Sequence, residues 1–418
     1  MFWNKYPYTD FHELNLDWII NAVRQIQSNE KYLKDNIADI MQEWLDDGTL
    51  ADVIEEILNL KYYYTPEDFD AVGDGYTDCT QAFDDALKAM ANGNIKILYI
   101  PQEKTYRINR SMAVPAGCML IGAGKTSKIY FDDSNLPSGE YSCGITTGGS
   151  DIVIANLTID QYQTGTYDFT TAYSGCLSVG TLHTAGMVTI PVSDIGRANT
   201  KNVIISDIWM DHGRYLLQCD PSPNYEIENV YVRNINAPSG MVSMIPRAGK
   251  LRNCHYQNIR CDGLRVGNDS NSYGYNMSVT DAYCTYLFVR TRGACVSNVL
   301  IDRNQPTGYT GVNHMMDIRS GNILQNIQFI PSASTTQVTI LRGADGHCFR
   351  FKDCDFPEVD KFCTVSGLPE GVSYPDPVYF ESCTASQTGA STNSIIGAAV
   401  MGSVTIPTLS AFDIWPTP

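Results

Sequence analysis

The second half of the chain repeats a short pattern in which Asn, Asp or Ser is followed by alternating apolar residues. The units begin at Asn156, Asp207, Asn229, Asn258, Asp281, Asn298, Asn326, Asp353 and Ser382. After a first gap of 51 residues they follow one another at intervals of 17 to 29 residues. Repeats of this length predict the coils of a solenoid, and the alternation predicts strands with one face in a core. The recurring Asn predicts a ladder of amide hydrogen bonds between coils. The long first gap holds either one further coil, near Cys176, or an inserted loop.

The first 60 residues follow a different pattern. Between residues 16 and 44, eight of nine positions spaced alternately by three and four are apolar, and Glu30 is the exception. Ile dominates one of the two core positions, which favours three or more chains, so we expect a coiled coil and a homotrimer. A helical hairpin within one chain is the alternative. The predicted domains are a helical attachment segment at 1–60, a solenoid at 61–386 and a tail at 387–418 that forms a strand or cap.

A more specific motif opens the solenoid. Residues Phe69–Phe83 read FDAVGDGYTDCTQAF, and short apolar strands follow between residues 95 and 124. Asp74 and Gly75 predict a tight turn, and Thr77 or Asp78 predicts the start of a helix that extends through Met90. We expect this helix to cover the first rung, so that 61–131 contains a capping helix and the first coils. Turn and cap chemistry explains the acidic residues here, so no metal site is predicted.

This succession resembles the opening of the pectate-lyase-like superfamily, as found in bacteriophage tail spikes. Two departures are Asp70, where the family usually has Gly, and Cys79, where it usually has an acid or amide. The resemblance implies a right-handed parallel β-helix. Residues 15–20 also resemble the attachment ends of appendage proteins of small tailed phages. Together these resemblances imply a virion appendage, assembled in the host cytoplasm, whose residues 1–60 bind other virion proteins.

The charge of the chain points to the kind of partner. The formal net charge is −17, which argues against binding nucleic acid. Residues 233–352 nevertheless carry a net charge of +7, mostly from Arg. Arg recognises phosphate and carboxylate groups, so we expect an anionic host polysaccharide or teichoic acid as ligand. Arg side chains paired with local Asp are the alternative. No secretory signal and no apolar stretch of membrane-spanning length is visible, so no membrane insertion is expected.

A candidate catalytic column lies four residues after the start of each repeat unit. It contains Asp160, Asp211, Arg233, Asp262, Thr285 and Asp302. Equivalent residues of neighbouring coils lie about 4.8 Å apart, so carboxylates one or two rungs apart approach the separations found in glycosidases. The predicted pair is Asp211 and Asp262 with Arg233 between them, one carboxyl acting as acid and one activating water. The alternative is that Asp is a common turn residue and that a periodic fold repeats its turns.

Candidate binding residues lie in three predicted loops, at about 160–200, 263–276 and 302–314, and beside Asp211. Aromatic faces stack on sugar rings, short polar side chains bind hydroxyls, and Arg recognises anions. The predicted glycan-binding residues are His212, Arg214, Arg265, Asp269, Tyr273, Tyr275, Arg303 and Tyr309.

Three functions remain open at this point. The first is a tail spike that binds a host surface glycan without cleaving it, and the second is a depolymerase of that glycan. The third is a structural virion or fibre-joining protein that recognises another phage protein. The catalytic motifs of polygalacturonases and the Ca²⁺ site of pectate lyases are not reproduced, so the resemblance implies the scaffold and not a reaction. No cofactor is predicted.

Overall fold

A computed structural model describes residues 62–132, 134, 141–161, 173–180, 199–213, 215–219, 224–244, 249–267, 273–289, 292–304, 316–318, 322–330, 349–356, 377–385 and 399–405. The predicted helical segment at 1–60 lies outside these residues.

The described chain consists almost entirely of β-strands. A short 3₁₀ helix (Pro66–Phe69) and one α-helix, α1 (Thr80–Asn92), lie near its start. The first strands are β1 (Asp74–Asp78), β2 (Ile97–Ile100), β3 (Thr105–Ile108), β4 (Met112–Pro115), β5 (Met119–Gly122), β6 (Lys128–Phe131), β7 (Tyr141–Gly148), β8 (Ile152–Gln161), β9 (Tyr173–Val179), β10 (Thr200–Trp209) and β11 (Tyr215–Cys219). The later strands are β12 (Glu226–Met244), β13 (Lys250–Val266), β14 (Tyr273–Val289), β15 (Arg292–Asp302), β16 (Met316–Ile318), β17 (Ile323–Ile330), β18 (Phe349–Lys352), β19 (Asp355–Phe356), β20 (Pro377–Ala385) and β21 (Ala399–Thr405).

Every strand pairs in parallel with a strand of the next coil. Strand β8 pairs with β10, β10 with β12, β12 with β13, and β13 with β14, so the chain winds as a parallel β-helix. Side chains alternate between the inside and the outside of each coil. Inward residues of successive coils stack in register and are at most 1% exposed, as in the column of Ile205, Val232, Tyr256, Val279 and Val296. The predicted parallel β-helix is confirmed.

Two lines of left-handed corner residues, five positions apart, define the outside of the stack. The first ladder contains Asp151, Asn202, Asn229, Asn253 and Asn276. Its amides bond from coil to coil over 2.8 to 3.0 Å. The second ladder contains Asn156, Asp207, Asn234, Asn258, Asp281, Asn298 and Asn326, with inter-coil amide bonds of 2.8 to 3.0 Å at four of its steps. Asn and Asp tolerate this backbone conformation best among residues other than Gly.

One repeat unit was predicted in the wrong register. Asn229 pairs with Asn253 in the first ladder, whereas the partner of Asn258 is Asn234. The pattern is ambiguous because each of these coils carries two Asn or Asp corners, and both precede alternating apolar residues. We name each coil below by its residue in the second ladder.

Among the described residues of the long gap before Asp207, no additional coil lies between β8 and β10. Strand β8 pairs directly with β10, and β9 pairs with β11 through Leu177 and Leu217. The described residues of this interval therefore belong to one coil.

The predicted loop at 263–276 is also largely wrong. Gly263–Val266 continue β13, and Tyr273 begins β14, so these parts of the segment are strand. The two strands are in register here, with Gly263 opposite Tyr286.

The helix that caps the first coils is confirmed and spans Thr80–Asn92. Phe83, Ala86, Leu87 and Met90 point into the core. The turn before it depends on Asp74, whose Oδ1 accepts hydrogen bonds from the main-chain N–H groups of Tyr76 and Thr77, at 2.8 Å each. Among the described residues, no helix is long and apolar enough to cross a membrane.

Candidate functional site

Nine outward-facing side chains form a polar patch on three consecutive coils. Their strands are in register. Val232, Ile235 and their partners on the next two coils point into the core, and the exposed second-ladder corners separate the last column from the other two. The nine-residue patch contains Tyr231, Arg233 and Asn236 of the Asn234 coil, His255, Gln257 and Arg260 of the Asn258 coil, and Ser278, Thr280 and Tyr283 of the Asp281 coil. Successive coils place equivalent residues about 4.8 Å apart, so the patch is a small grid of fixed spacing.

Aromatic rings in this region lie against cationic or imidazole groups. Tyr231 is 48% exposed, and its ring stacks on His255 with centroids 5.5 Å apart. The guanidinium of Arg260 lies 5.5 Å from the ring centre of Tyr283. Such contacts hold a ring in place while one face or edge stays available to a ligand.

A second aromatic–cation pair lies just across the first ladder from the patch. The guanidinium of Arg252 is 4.9 Å from the ring centre of Tyr275, which is 50% exposed. Arg252 is also ion-paired with Glu226, which fixes the guanidinium from its other side. The same three coils therefore present aromatic rings on both sides of the first-ladder corner.

The nine positions of the patch include no carboxylate. Two acidic groups outside these positions contact it: Asp302 Oδ2 accepts a hydrogen bond from Tyr283 Oη at 2.8 Å, and Asp281 Oδ2 in the second ladder accepts one from Gln257 Nε2 at 3.4 Å. Asp281 Oδ1 accepts another from Asn298. With Arg233 and Arg260 both exposed, the patch has a positive formal charge.

His255 is the only histidine of the patch. Its Nδ1 lies 2.8 Å from Ser278 Oγ, and its ring is half-buried. Burial lowers the pKa of His255 below its ordinary value, because an imidazolium is less well solvated there than in water.

The predicted catalytic pair does not have the expected surroundings. Asp211 is ion-paired with Lys125 and Lys128, at 3.5 and 3.6 Å, and its side chain is 37% exposed. Asp262 is only 3% exposed. The Asn234 coil separates the two carboxylates, so they are two rungs apart, as the sequence suggested.

The predicted position of Arg233 between these carboxylates is wrong. Residues 238–240 occupy that position, since Ala237 pairs with Cys261 and Met241 with Gly263. Arg233 lies one residue before the Asn234 corner and points outward in the patch, opposite Gln257. The cause is that Asn229, and not Asn234, was taken as the start of this repeat unit, so the alignment of this one coil was displaced by five residues.

Asp262 belongs to a largely buried cluster. Burial lowers the pKa of Arg303, and the nearby Asp262 carboxylate and Tyr286 phenol act in the opposite direction. Tyr286 is fully buried, and its ring packs against Gly263. Asp302, 7% exposed, accepts hydrogen bonds from Tyr283 Oη at 2.8 Å and from Asn304 N at 2.9 Å. These partners are typical of carboxylates that stabilise a fold, and catalysis by Asp262 remains a prediction.

The predicted glycan-binding residues are scattered around the described stack. Tyr275 is exposed beside Arg252, and His212 is exposed after β10, its main-chain N–H donating to Asp160 at 3.2 Å. Arg265 is half-buried in β13, and Tyr273 begins β14. Arg303 lies in the Asp262 cluster. Arg214, Asp269 and Tyr309 lie outside the described residues.

Only Arg233 of the nine patch residues was predicted as a site residue from the sequence, and the missed residues include Tyr231, His255, Arg260 and Tyr283. A signal for them was present. Asn or Asp recurs in pairs five residues apart, at 202 and 207, 229 and 234, and 253 and 258. Aligning the coils on both members of each pair places Tyr231, His255 and Ser278 in one column.

Comparison with known proteins supports the fold. No family model matches this chain, and no curated protein sequence is similar to it. An exopolygalacturonase from Thermotoga maritima aligns over 85% of this chain and 96% of its own, with 12% identity and a TM-score of 0.53. The A-module of an Azotobacter vinelandii mannuronan C-5 epimerase aligns over 82% and 95%, with 14% identity and a TM-score of 0.42. A tailspike protein of an Escherichia coli bacteriophage aligns over 84% and 42%, with 12% identity and a TM-score of 0.34. At such identities the likeness is one of fold, and the exopolygalacturonase supports the parallel β-helix expected from the sequence.

Proposed function

We propose that this protein binds a cell-surface polysaccharide through the nine-residue patch and the adjacent Arg252–Tyr275 pair. The observation that carries the proposal is the set of aromatic rings held against Arg or His on three consecutive coils. Aromatic faces pack on the apolar faces of sugar rings, and amide, hydroxyl and guanidinium groups bind their hydroxyls and charged substituents. Neighbouring coils repeat these groups at a fixed spacing, which suits a polymer.

The biological setting that we propose is a bacteriophage tail spike or appendage. The motif at Phe69–Phe83 and the heptad pattern within residues 1–60 support this assignment. In this proposal the N-terminal segment joins other virion proteins and assembles three chains. The β-helix then adsorbs the particle to its host, and the excess of Arg over residues 233–352 favours an anionic glycan or teichoic acid.

The binding function is tested by passing purified full-length protein over immobilised surface polysaccharides and measuring retention together with the length of the glycan afterwards. Tyr231→Ala is expected to weaken retention by about tenfold, equivalent to ~1.4 kcal/mol, because it removes an exposed stacking ring. Tyr76→Ala is the matched control. Tyr76 is 82% exposed on β1, away from the patch, and its loss is expected to change nothing.

Each result of this experiment has a defined meaning. Retention that depends on Tyr231, with the glycan intact, supports a binding protein. Shortened glycan would identify a depolymerase and would direct mutagenesis to Asp211 and Asp262. Absence of retention on every polysaccharide, or equal loss in both Tyr variants, would contradict the proposal and favour the structural virion role.

A further inference from the structure

The position of His255 within the nine-residue patch has a consequence for ligand choice. His255 lies in the middle coil, between Tyr231 of the preceding coil and Ser278 of the following one. Arg233 lies in the adjacent column of the same patch, and Arg260 lies one column further along, beyond the Asn258 corner. A charge gained on this imidazole is therefore added in the column next to that of Arg233, a permanent cation.

The strand on one side of His255, β12, contributes little opposing charge. Besides Tyr231 and Arg233, its charged residues are Glu226 and Glu228, which precede the Asn229 corner. Both are already ion-paired, Glu226 with Arg252 and Glu228 with Lys201.

The strand on the other side, β14, contributes Tyr283 and one acid, Asp281, which is hydrogen-bonded to Gln257 and Asn298. On β13 itself, Lys250, Arg252 and Arg260 are cationic, and the one carboxylate is Asp262, 3% exposed, in the cluster with Arg303. From every strand packed against it, His255 thus faces cations or acids that are already paired.

We infer that the patch takes a glycan bearing negatively charged substituents, and that protonation of His255 makes the patch bind this anionic polymer more tightly as the pH falls. The inference rests on the proposed function, and it adds to it the residue that responds to the charge of the ligand and the control of binding by pH.

The direction of the pH effect follows from the coupling between proton binding and ligand binding. Burial lowers the pKa of His255 below the ordinary value for histidine, so the imidazole is neutral at neutral pH and gains its proton only at a lower pH. An anion bound beside it stabilises the imidazolium and raises this pKa. By reciprocity, affinity for the anion rises as the pH falls through the pKa of the free protein. A neutral glycan gains nothing from the same proton.

The test uses dextran sulfate and uncharged dextran, which share one sugar backbone and differ in charge. Sulfate esters stay ionised in mild acid, so a change of affinity reports on the protein. Binding to the full-length protein is measured at constant ionic strength at about pH 7.5 and about pH 5, on either side of the titration range of histidine. We expect dextran sulfate to bind about fivefold more tightly at the lower pH, as suits one added charge near a bound anion. Uncharged dextran is expected to bind much more weakly at both.

Matched variants separate His255 from the general titration of the protein. His255→Gln keeps a group that can hydrogen-bond Ser278 but cannot gain a charge, and it is expected to lose most of the pH dependence. Tyr76→Ala changes an exposed residue of β1 outside the patch and is expected to keep it. Arg233→Gln, at an exposed position, is expected to weaken binding at both pH values without changing their ratio.

Two kinds of result would overturn the inference. One is a pH ratio for His255→Gln equal to that of the wild type, with the thermal midpoint unchanged. The other is binding of uncharged dextran as tight as that of dextran sulfate, or no binding of dextran sulfate at either pH. Retention of a neutral surface polysaccharide that depends on Tyr231 would then still support the proposed function, so the two failures are distinguishable.

Discussion

At the scale of single residues, each corner residue has to adopt a left-handed backbone conformation and also to hydrogen-bond with the corner residues of neighbouring coils. Asn229 has a φ of 57°, in the left-handed region, and its amide both donates to Asn202 and accepts from Asn253. Most side chains are strained in this conformation by roughly 1–2 kcal/mol. Asn is favoured because it tolerates the backbone and also satisfies the hydrogen bonds of the ladder.

Two substitutions of Asn229 should separate the contribution of its backbone conformation to stability from that of its hydrogen bonds. Asn229→Ala is expected to lower the free energy of unfolding by about 2 kcal/mol or more, since it adds backbone strain and leaves two amide partners unsatisfied. Asn229→Gly removes the same amide but accepts a positive φ, so its loss should be smaller. Denaturant midpoints of the two variants and the wild type make the comparison. Equal losses would mean that the backbone conformation contributes nothing.

At the scale of elements, helix α1 closes the open end of the described stack. Phe83 is 1% exposed and packs edge-on against Tyr106, with ring centroids 5.5 Å apart. The first strands would otherwise present unpaired edges and core residues to solvent, which promotes association.

We therefore expect Phe83→Ala to cost about 3–5 kcal/mol of stability, as large core truncations do, and to promote aggregation. Thermal unfolding followed together with light scattering measures both effects. Gln81→Ala changes an exposed position of the same helix and provides the control. Loss of stability without any increase in association would argue against a role of the helix in protecting the edge.

The elements themselves could largely be predicted from the sequence. Alternating apolar residues after Asn or Asp predicted the parallel coils, and the motif around Asp74 predicted the turn and α1. The register of one coil could not be predicted, because Asn229 and Asn234 both precede apolar alternation.

The candidate site was harder to predict for the same physical reason. Tyr231, His255 and Tyr283 are far apart in sequence, and only the pairing of β12, β13 and β14 brings them together. Ladder partners lie 17 to 28 residues apart between Asp207 and Asn326, so no fixed period could align their columns. Tyr275 was predicted because it lies in a stretch rich in Asn, Ser and Tyr, a local signal that needs no register.

At the scale of the whole molecule, each coil makes its pairings with the coils before and after it. Asn202 and Asn229 occupy the same ladder position one coil apart, separated by 27 residues. Stability in such a stack is nearly a sum of coils and their interfaces.

A complete coil should therefore be removable. Deleting residues 203–229 joins Asn202 to Val230 and lets Asn202 take the place of Asn229 beside Asn253. We expect a protein that keeps its strand signal in circular dichroism and unfolds cooperatively, with lower stability. Deleting only 203–216 leaves a coil that cannot close, and it should yield a protease-sensitive chain. Similar behaviour of the two deletions would contradict a modular stack.

The shape of the coils and the chemistry of their surface depend on different positions of the sequence. Corner amides and inward residues preserve the shape of each coil, while the outward columns between them stay open to change. A substitution at Tyr231, Arg233 or His255 changes the groups that the surface presents to a ligand, and it does not disturb the amides that hold the coils together. If the proposed function holds, single replacements in these columns would exchange one recognised polymer for another while the coils keep their shape.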